Sequence, residues 1–121
     1  MHRTVLQYLD DISEAIRNIE EDTTGISFNE FVADRRRKDA VVHNFEIIGE
    51  ATKKLSDDLK ARNPAVAWKQ VAGLRDVIAH GYFRVDYEVI WGIITNTVPG
   101  FKTAIVKIRR EERQKEKEFR K

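Results

Sequence analysis

Cysteine is absent from this 121-residue chain, which excludes a disulfide framework, thiolate metal sites and a cysteine nucleophile. With nothing to mark the chain as secreted, a reducing cytoplasm is the expected setting. Glycine and proline are scarce, at six and two residues, so the punctuation of a turn-rich β fold is missing. Uninterrupted apolar runs reach only a few residues, far short of the roughly 20 that span a bilayer. The opening stretch MHRTVLQYLDDI turns acidic within ten residues, unlike a secretory signal. Also missing are a glycine-rich phosphate loop, an HExxH pair and an Asp–Gly calcium loop.

Neither sign of charge dominates. Lys and Arg number 22 against 20 Asp and Glu, a net of +2. Arg109–Lys121 holds seven basic and four acidic side chains, which leaves residues 1–108 at a net of −1. A neutral body does not announce a nucleic-acid binder, so any polyanion site must be local. The one dense cluster is Arg35-Arg36-Arg37-Lys38, whose plainest reading is a solvated helix face.

What is present is apolar material at helical spacing. Apolar residues make up 41% and charged residues 35%, enough for one compact core and too much for wholesale disorder. Leu6, Leu9, Ile12, Ile16 and Ile19 step by threes and fours along a first helix, which Thr23-Thr24-Gly25 breaks. Ser27 with Glu30 reads as a capping box before a short turn bearing Phe28, Phe31 and Val32. A second long helix runs from about Asp34, with Val41, Phe45, Ile48, Ala51 and Leu55 on one face. Ser56 and Asp57 suit a brief turn closed by Pro64.

A third helix is expected from about Val66, with Ala67, Val71, Leu74 and Ile78 inward and Gly81 as terminator. Asp86 caps a fourth, with Ile90, Ile94 and Val98 inward. Pro99 either kinks it or opens a fifth, and Phe101, Ile105 and Ile108 continue the stripe. The expected architecture is all-α: an antiparallel bundle of four long helices plus short ones over 1–108. A charged helical extension or tail follows over 109–121; its plainest reading is a frayed, solvated segment, and the other is a basic arm that touches RNA or a partner.

Few residues suit chemistry. His43, Glu46 and Glu50 share a helix face at i, i+3 and i+7, yet a metal site wants a matching motif from another helix. None is evident, so no metal is expected; the two glutamates could instead receive basic residues from a neighbouring helix. His2, Tyr8 and Tyr87 carry no functional assignment. The stretch Gly73-Leu74-Arg75-Asp76-Val77-Ile78-Ala79-His80-Gly81-Tyr82 is the remaining candidate. Arg75 and His80 would point about 140° apart on a continuous helix. They can face one substrate only if the helix ends between them, or if the site lies in a cleft between two copies. A histidine at a helix C-terminus is favoured as a cation. Beside an arginine it suits a phosphodiester: imidazole moves a proton and guanidinium holds phosphate oxygens. Arg75 could otherwise pair with Asp76 or Glu46, and a terminal histidine could cap carbonyls.

The motif has company. Phe31-Val32-Ala33-Asp34-Arg35-Arg36-Arg37-Lys38-Asp39-Ala40-Val41 and Phe45-Glu46-Ile47-Ile48-Gly49-Glu50-Ala51 precede it, with Pro64, Trp68, Gly73-Leu74-Arg75-Asp76, Val85-Asp86-Tyr87 and Val89-Ile90-Trp91 in order. In these, and in Arg75, His80 and Tyr82 at the spacing Arg-x4-His-x-Tyr, the chain resembles the HepT-type toxins of the HEPN superfamily from Met1 to about Ile108. The resemblance implies helical bundles that dimerise so that two Arg–His motifs meet. It implies a metal-independent endoribonuclease, the toxin component of a type VII toxin–antitoxin system, needing no cofactor. His80 would then be the general acid or base, Arg75 the stabiliser of charge at phosphorus, and Asp76 an orienting residue. The implied partners are RNA and an MntA-type nucleotidyltransferase antitoxin, which would transfer AMP to Tyr82. The rival reading is a non-catalytic module that holds a partner nucleotidyltransferase or a nucleotide. A third is a dimerisation scaffold in which the motif side chains are dispensable.

Overall fold

The computed structural model describes residues 3–78 and 85–119. Its elements are helices α1 (Val5–Thr23), α2 (Phe28–Ala33), α3 (Arg35–Lys53), α4 (Asp57–Ala61), α5 (Trp68–Ala72), α6 (Leu74–Ile78), α7 (Tyr87–Gly92) and α8 (Val98–Phe119), with a π-helical turn at Ile93–Thr97 joining the last two. Among the described residues there is no strand, and the all-α architecture is the one expected.

Side-chain caps fix the boundaries. Thr4 and Gln7 form a capping box at the start of α1, and Ser27 with Glu30 forms the expected one at α2. Asp34 caps α3, Ser56 caps α4 and Asp86 caps α7, each through the backbone N–H three residues on. Gly25, at φ 80°, supplies the left-handed turn after α1.

The periodic apolar stripes meet as one core. Leu9, Ile12, Ile16 and Ile19 of α1 face Val41, Phe45, Ile48 and Ala51 of α3, and all are buried. Asn18 lies against Asn44, and Arg37 bonds the carbonyl of Asp22, so α1 and α3 run antiparallel. α8 closes the other side of α1, again antiparallel: Lys102 pairs with Glu20 and Arg109 with Asp10. Its inward face is Val98, Phe101, Ile105 and Ile108.

Two details depart from expectation. The third helical row is divided: α5 ends at Gly73 and α6 begins at Leu74. Ala67, expected inward, is an exposed N-cap instead. Trp68 anchors the start by donating Nε1–H to the Asn63 carbonyl at 2.9 Å. The fourth row is one continuous helical run with a wide turn just before Pro99. There the Val98 amide bonds the Ile93 carbonyl five residues back. Proline lacks an N–H and crowds the carbonyl four residues before it, so a loosened turn on its N-terminal side accommodates the ring. Ile94, expected inward, is therefore only half-buried, while Ile90 and Val98 both reach the core.

The span Tyr87–Phe119 holds a stretch long and apolar enough, by length and composition, to cross a membrane; polar residues interrupt it, so a search for unbroken runs passes it over. Its residues Ile90, Val98, Phe101, Ile105 and Ile108 belong to the bundle core.

Candidate active site

Helix α6 is short and amphipathic. Leu74 and Ile78, four residues apart, are buried and hold it to the core. Arg75 and Asp76 occupy the opposite side and are exposed. The expected alternatives for Arg75 do not hold: among the described residues neither Asp76 nor Glu46 comes within ion-pair distance. Its guanidinium is thus presented to solvent at the last turn of α6.

Close packing puts α6 where it is. Gly49 of α3 is buried, and a β-carbon there would stand 3.5 Å from the carbonyl oxygens of Val71 and Ala72 at the end of α5. A β-carbon would be in ordinary contact there and anything larger would collide, so a small residue lets α5 lie against α3, and α6 follows through Gly73. Beyond α6, the amide of Asp86 donates to the carbonyl of Ile78 at 2.9 Å, while the Asp86 carboxylate accepts from the amide of Val89 at 3.1 Å. Arg75 is therefore one turn from a hydrogen bond that brings the end of α6 to the start of α7. His80, Gly81 and Tyr82 lie outside the described residues, as does His2.

The basic run at the start of α3 is not one uniform solvated face. Arg37 is structural, with Nε 3.0 Å from the Asp34 carboxylate and a bond to the Asp22 carbonyl. Lys38 sets its ammonium 4.8 Å from the ring centroid of Tyr87, the first residue of α7. Tyr87 also meets Phe31 edge-on, in keeping with a structural role. Arg35 and Arg36 are exposed. Spacing alone carries no signal for the Lys38–Tyr87 contact, which depends on tertiary packing.

His43, Glu46 and Glu50 are exposed and line a groove of about 360 Å³ between α1 and α3, with Tyr8 and Lys54. Glu50 pairs with Lys53 of its own helix at 3.1 Å, rather than with a neighbouring one. Among the described residues, no three His, Asp or Glu side chains converge as a metal site. Tyr8 carries the Arg3 guanidinium over its ring at 5.2 Å.

The chain is thus an all-α bundle with an outward-facing arginine at the end of a short helix, ahead of a histidine and a tyrosine in sequence. The family model described as "Ribonuclease HepT-like" matches residues 12–108. Among curated relatives, "Probable ribonuclease HepT" of Thermococcus cleftensis is 40% identical over 110 residues, 91% of this chain and 100% of the relative. "Putative RNase MJ0127" of Methanocaldococcus jannaschii is 41% identical over 97 residues, 80% of each chain. "Putative RNase TTE0752" of Caldanaerobacter subterraneus is 36% identical over 111 residues, 92% of this chain and 99% of the relative. No solved structure matches the chain significantly. The chain belongs to the ribonuclease HepT-like family of the HEPN superfamily.

Proposed function

We propose that this chain is a metal-independent endoribonuclease whose site is built from Arg75 and His80 of two copies. In this reading it is the toxin of a type VII toxin–antitoxin pair. The observation that carries the reading is the exposed guanidinium of Arg75 on a helix otherwise fixed in the core, in a chain whose relatives bear ribonuclease names. His80 of one copy removes the proton from a ribose 2′-hydroxyl, and the oxygen attacks phosphorus. His80 of the other returns a proton to the departing 5′ oxygen. A 2′,3′-cyclic phosphate and a free 5′-hydroxyl result, and the bonds balance without a metal. Arg75 holds the non-bridging oxygens as their charge grows. Asp76, exposed next to Arg75 in sequence but making no ion pair with it, is left to orient the imidazole.

Tyr82, two residues past His80 in sequence, is the acceptor of AMP from an MntA-type nucleotidyltransferase. The adduct brings a phosphodiester charge and bulk to the place an RNA phosphate must occupy, so it repels and excludes substrate. The test is cleavage of tRNA and mRNA in chelator by purified chain. His80→Ala is expected to lose on the order of 10²–10⁴-fold and Arg75→Ala about 10²–10³-fold, with folding intact. Unchanged cleavage in either variant removes that residue from the site. Co-expression with the nucleotidyltransferase should add adenylate mass to the parent chain and none to Tyr82→Phe.

A further inference from the structure

The C-terminal half of α8 is dense in charge of both signs, and four of its basic side chains gather in one place. Arg109, Arg110, Arg113 and Lys117, with Val106 and Gln114, line a groove of about 290 Å³ on the outer side of the helix. Among the described residues, no acidic side chain lines it. The spacing explains the convergence: 106, 109, 110, 113 and 117 recur at three and four residues and so share a face. Residues 109–117 stay helical, in contrast to a frayed tail, and span about 12 Å at the rise of an α-helix.

The groove is held open at one end by the body of the protein. Arg109 Nε lies 2.6 Å from the Asp10 carboxylate and its NH1 donates to Ser13 Oγ at 3.3 Å. Arg113 reaches the same carboxylate at 3.8 Å. One acid is thus shared by two guanidiniums. Arg110 and Lys117 are exposed and, among the described residues, have no carboxylate within ion-pair distance. Three of four charges in a concave surface are therefore left wholly or partly uncompensated.

We propose that this groove is an RNA-binding surface that takes the phosphate backbone of a single strand. Charge complementarity selects the occupant: cations on two rows of one helix, about 12 Å long by the spacing above, follow successive phosphates, and among the described lining residues Val106, at one end, is the single apolar side chain. The choice of RNA over another polyanion rests on the ribonuclease reading; the groove itself does not.

The test compares the full chain with an Arg110→Gln, Arg113→Gln, Lys117→Gln triple variant. Binding of a fluorescent single-stranded RNA is measured on the His80→Ala background, and KM and kcat on the active one. The expected result is about tenfold weaker binding and a dependence of log K on log salt shallower by about 2, from roughly 0.7 per phosphate contact on a single strand. KM should rise with kcat little changed. Asp10→Asn, which keeps an acceptor for Arg109 and removes the shared negative charge, should tighten binding. Equal RNA affinity and salt slope in parent and triple variant, with matching thermal melts, overturns the proposal. So does an equal loss in Arg35→Gln, Arg36→Gln, which would mean bulk charge, or a loss of poly-glutamate binding without loss of RNA binding, which would assign the groove to an acidic protein. If the active chain cuts no RNA, the enzymatic reading fails by itself, and the binding arm still decides the groove.

Discussion

The amide of Asp86 and the carbonyl of Ile78 meet at 2.9 Å, so two residues eight apart in sequence are held together around the segment that carries His80 and Tyr82. The Asp86 side chain adds to this by capping α7 at Val89. Asp86→Ala is expected to lose about 1 kcal/mol of stability, the usual worth of an N-cap, and to reduce RNA cleavage several-fold at a temperature where it remains folded. Asp86→Asn can still cap and should retain both. Urea melts beside initial cleavage rates check this; equal rates in the two variants would show that the Asp86 cap does not matter to the site.

Gly49 separates two effects that usually travel together. A methyl group there would sit at 3.5 Å from two carbonyl oxygens, an ordinary contact. Gly49→Ala should therefore fit, and by restricting the unfolded chain it should raise stability by up to about 1 kcal/mol. Gly49→Val or Gly49→Leu must push α5 away and should cost about 1–3 kcal/mol. Because α6 follows α5, cleavage should fall in the larger variants even at temperatures where they stay folded.

Thr52 is fully buried, and its hydroxyl has no hydrogen-bond partner among the described residues. An unsatisfied buried hydroxyl costs about 1–3 kcal/mol. Thr52→Val keeps the shape and removes the polar atom, so chemical denaturation should show a gain of about 1 kcal/mol or more. A loss of stability would mean that the hydroxyl is bonded in solution.

The Arg109–Asp10 pair joins residues 99 positions apart at 2.6 Å, yet both side chains are substantially exposed. Arg109→Ala should accordingly cost only about 0.2–1 kcal/mol, less in high salt. Its larger effect should be local, seen as faster amide exchange over residues 109–119 than in the parent chain.

Much of the bundle was legible because periodicity and burial share a cause. Leu9, Ile12, Ile16 and Ile19, and later Val41, Phe45, Ile48 and Ala51, were readable as core from spacing alone. Ser27 and Asp86 were readable as caps because their side chains satisfy amides only three residues away. The division at Gly73 was not: Val71, Leu74 and Ile78 keep one phase through the break, so the pattern reads as one helix. The wide turn at 93–97 hides because Ile90, Ile94 and Val98 recur every four residues, a spacing that an unbroken α-helix also shows. Long-range pairings such as Lys38 with Tyr87 and Arg109 with Asp10 arise only when distant segments pack. At the candidate site, the motif spacing singled out Arg75 and the family resemblance added Asp76; both are exposed. Nothing in that spacing indicates how two copies would meet.

The wide turn ahead of Pro99 means that this helix carries one residue more than its packing requires. Shortening the 93–97 stretch by a single residue, together with Pro99→Ala to let the ladder close, would leave Ile90 and Val98 seven positions apart. That interval nearly completes two turns of a regular α-helix, so both side chains would still point inward. Length variation of this kind should be tolerated here and nowhere else along the final helix, where dropping one position would swing every later apolar side chain by about 100°.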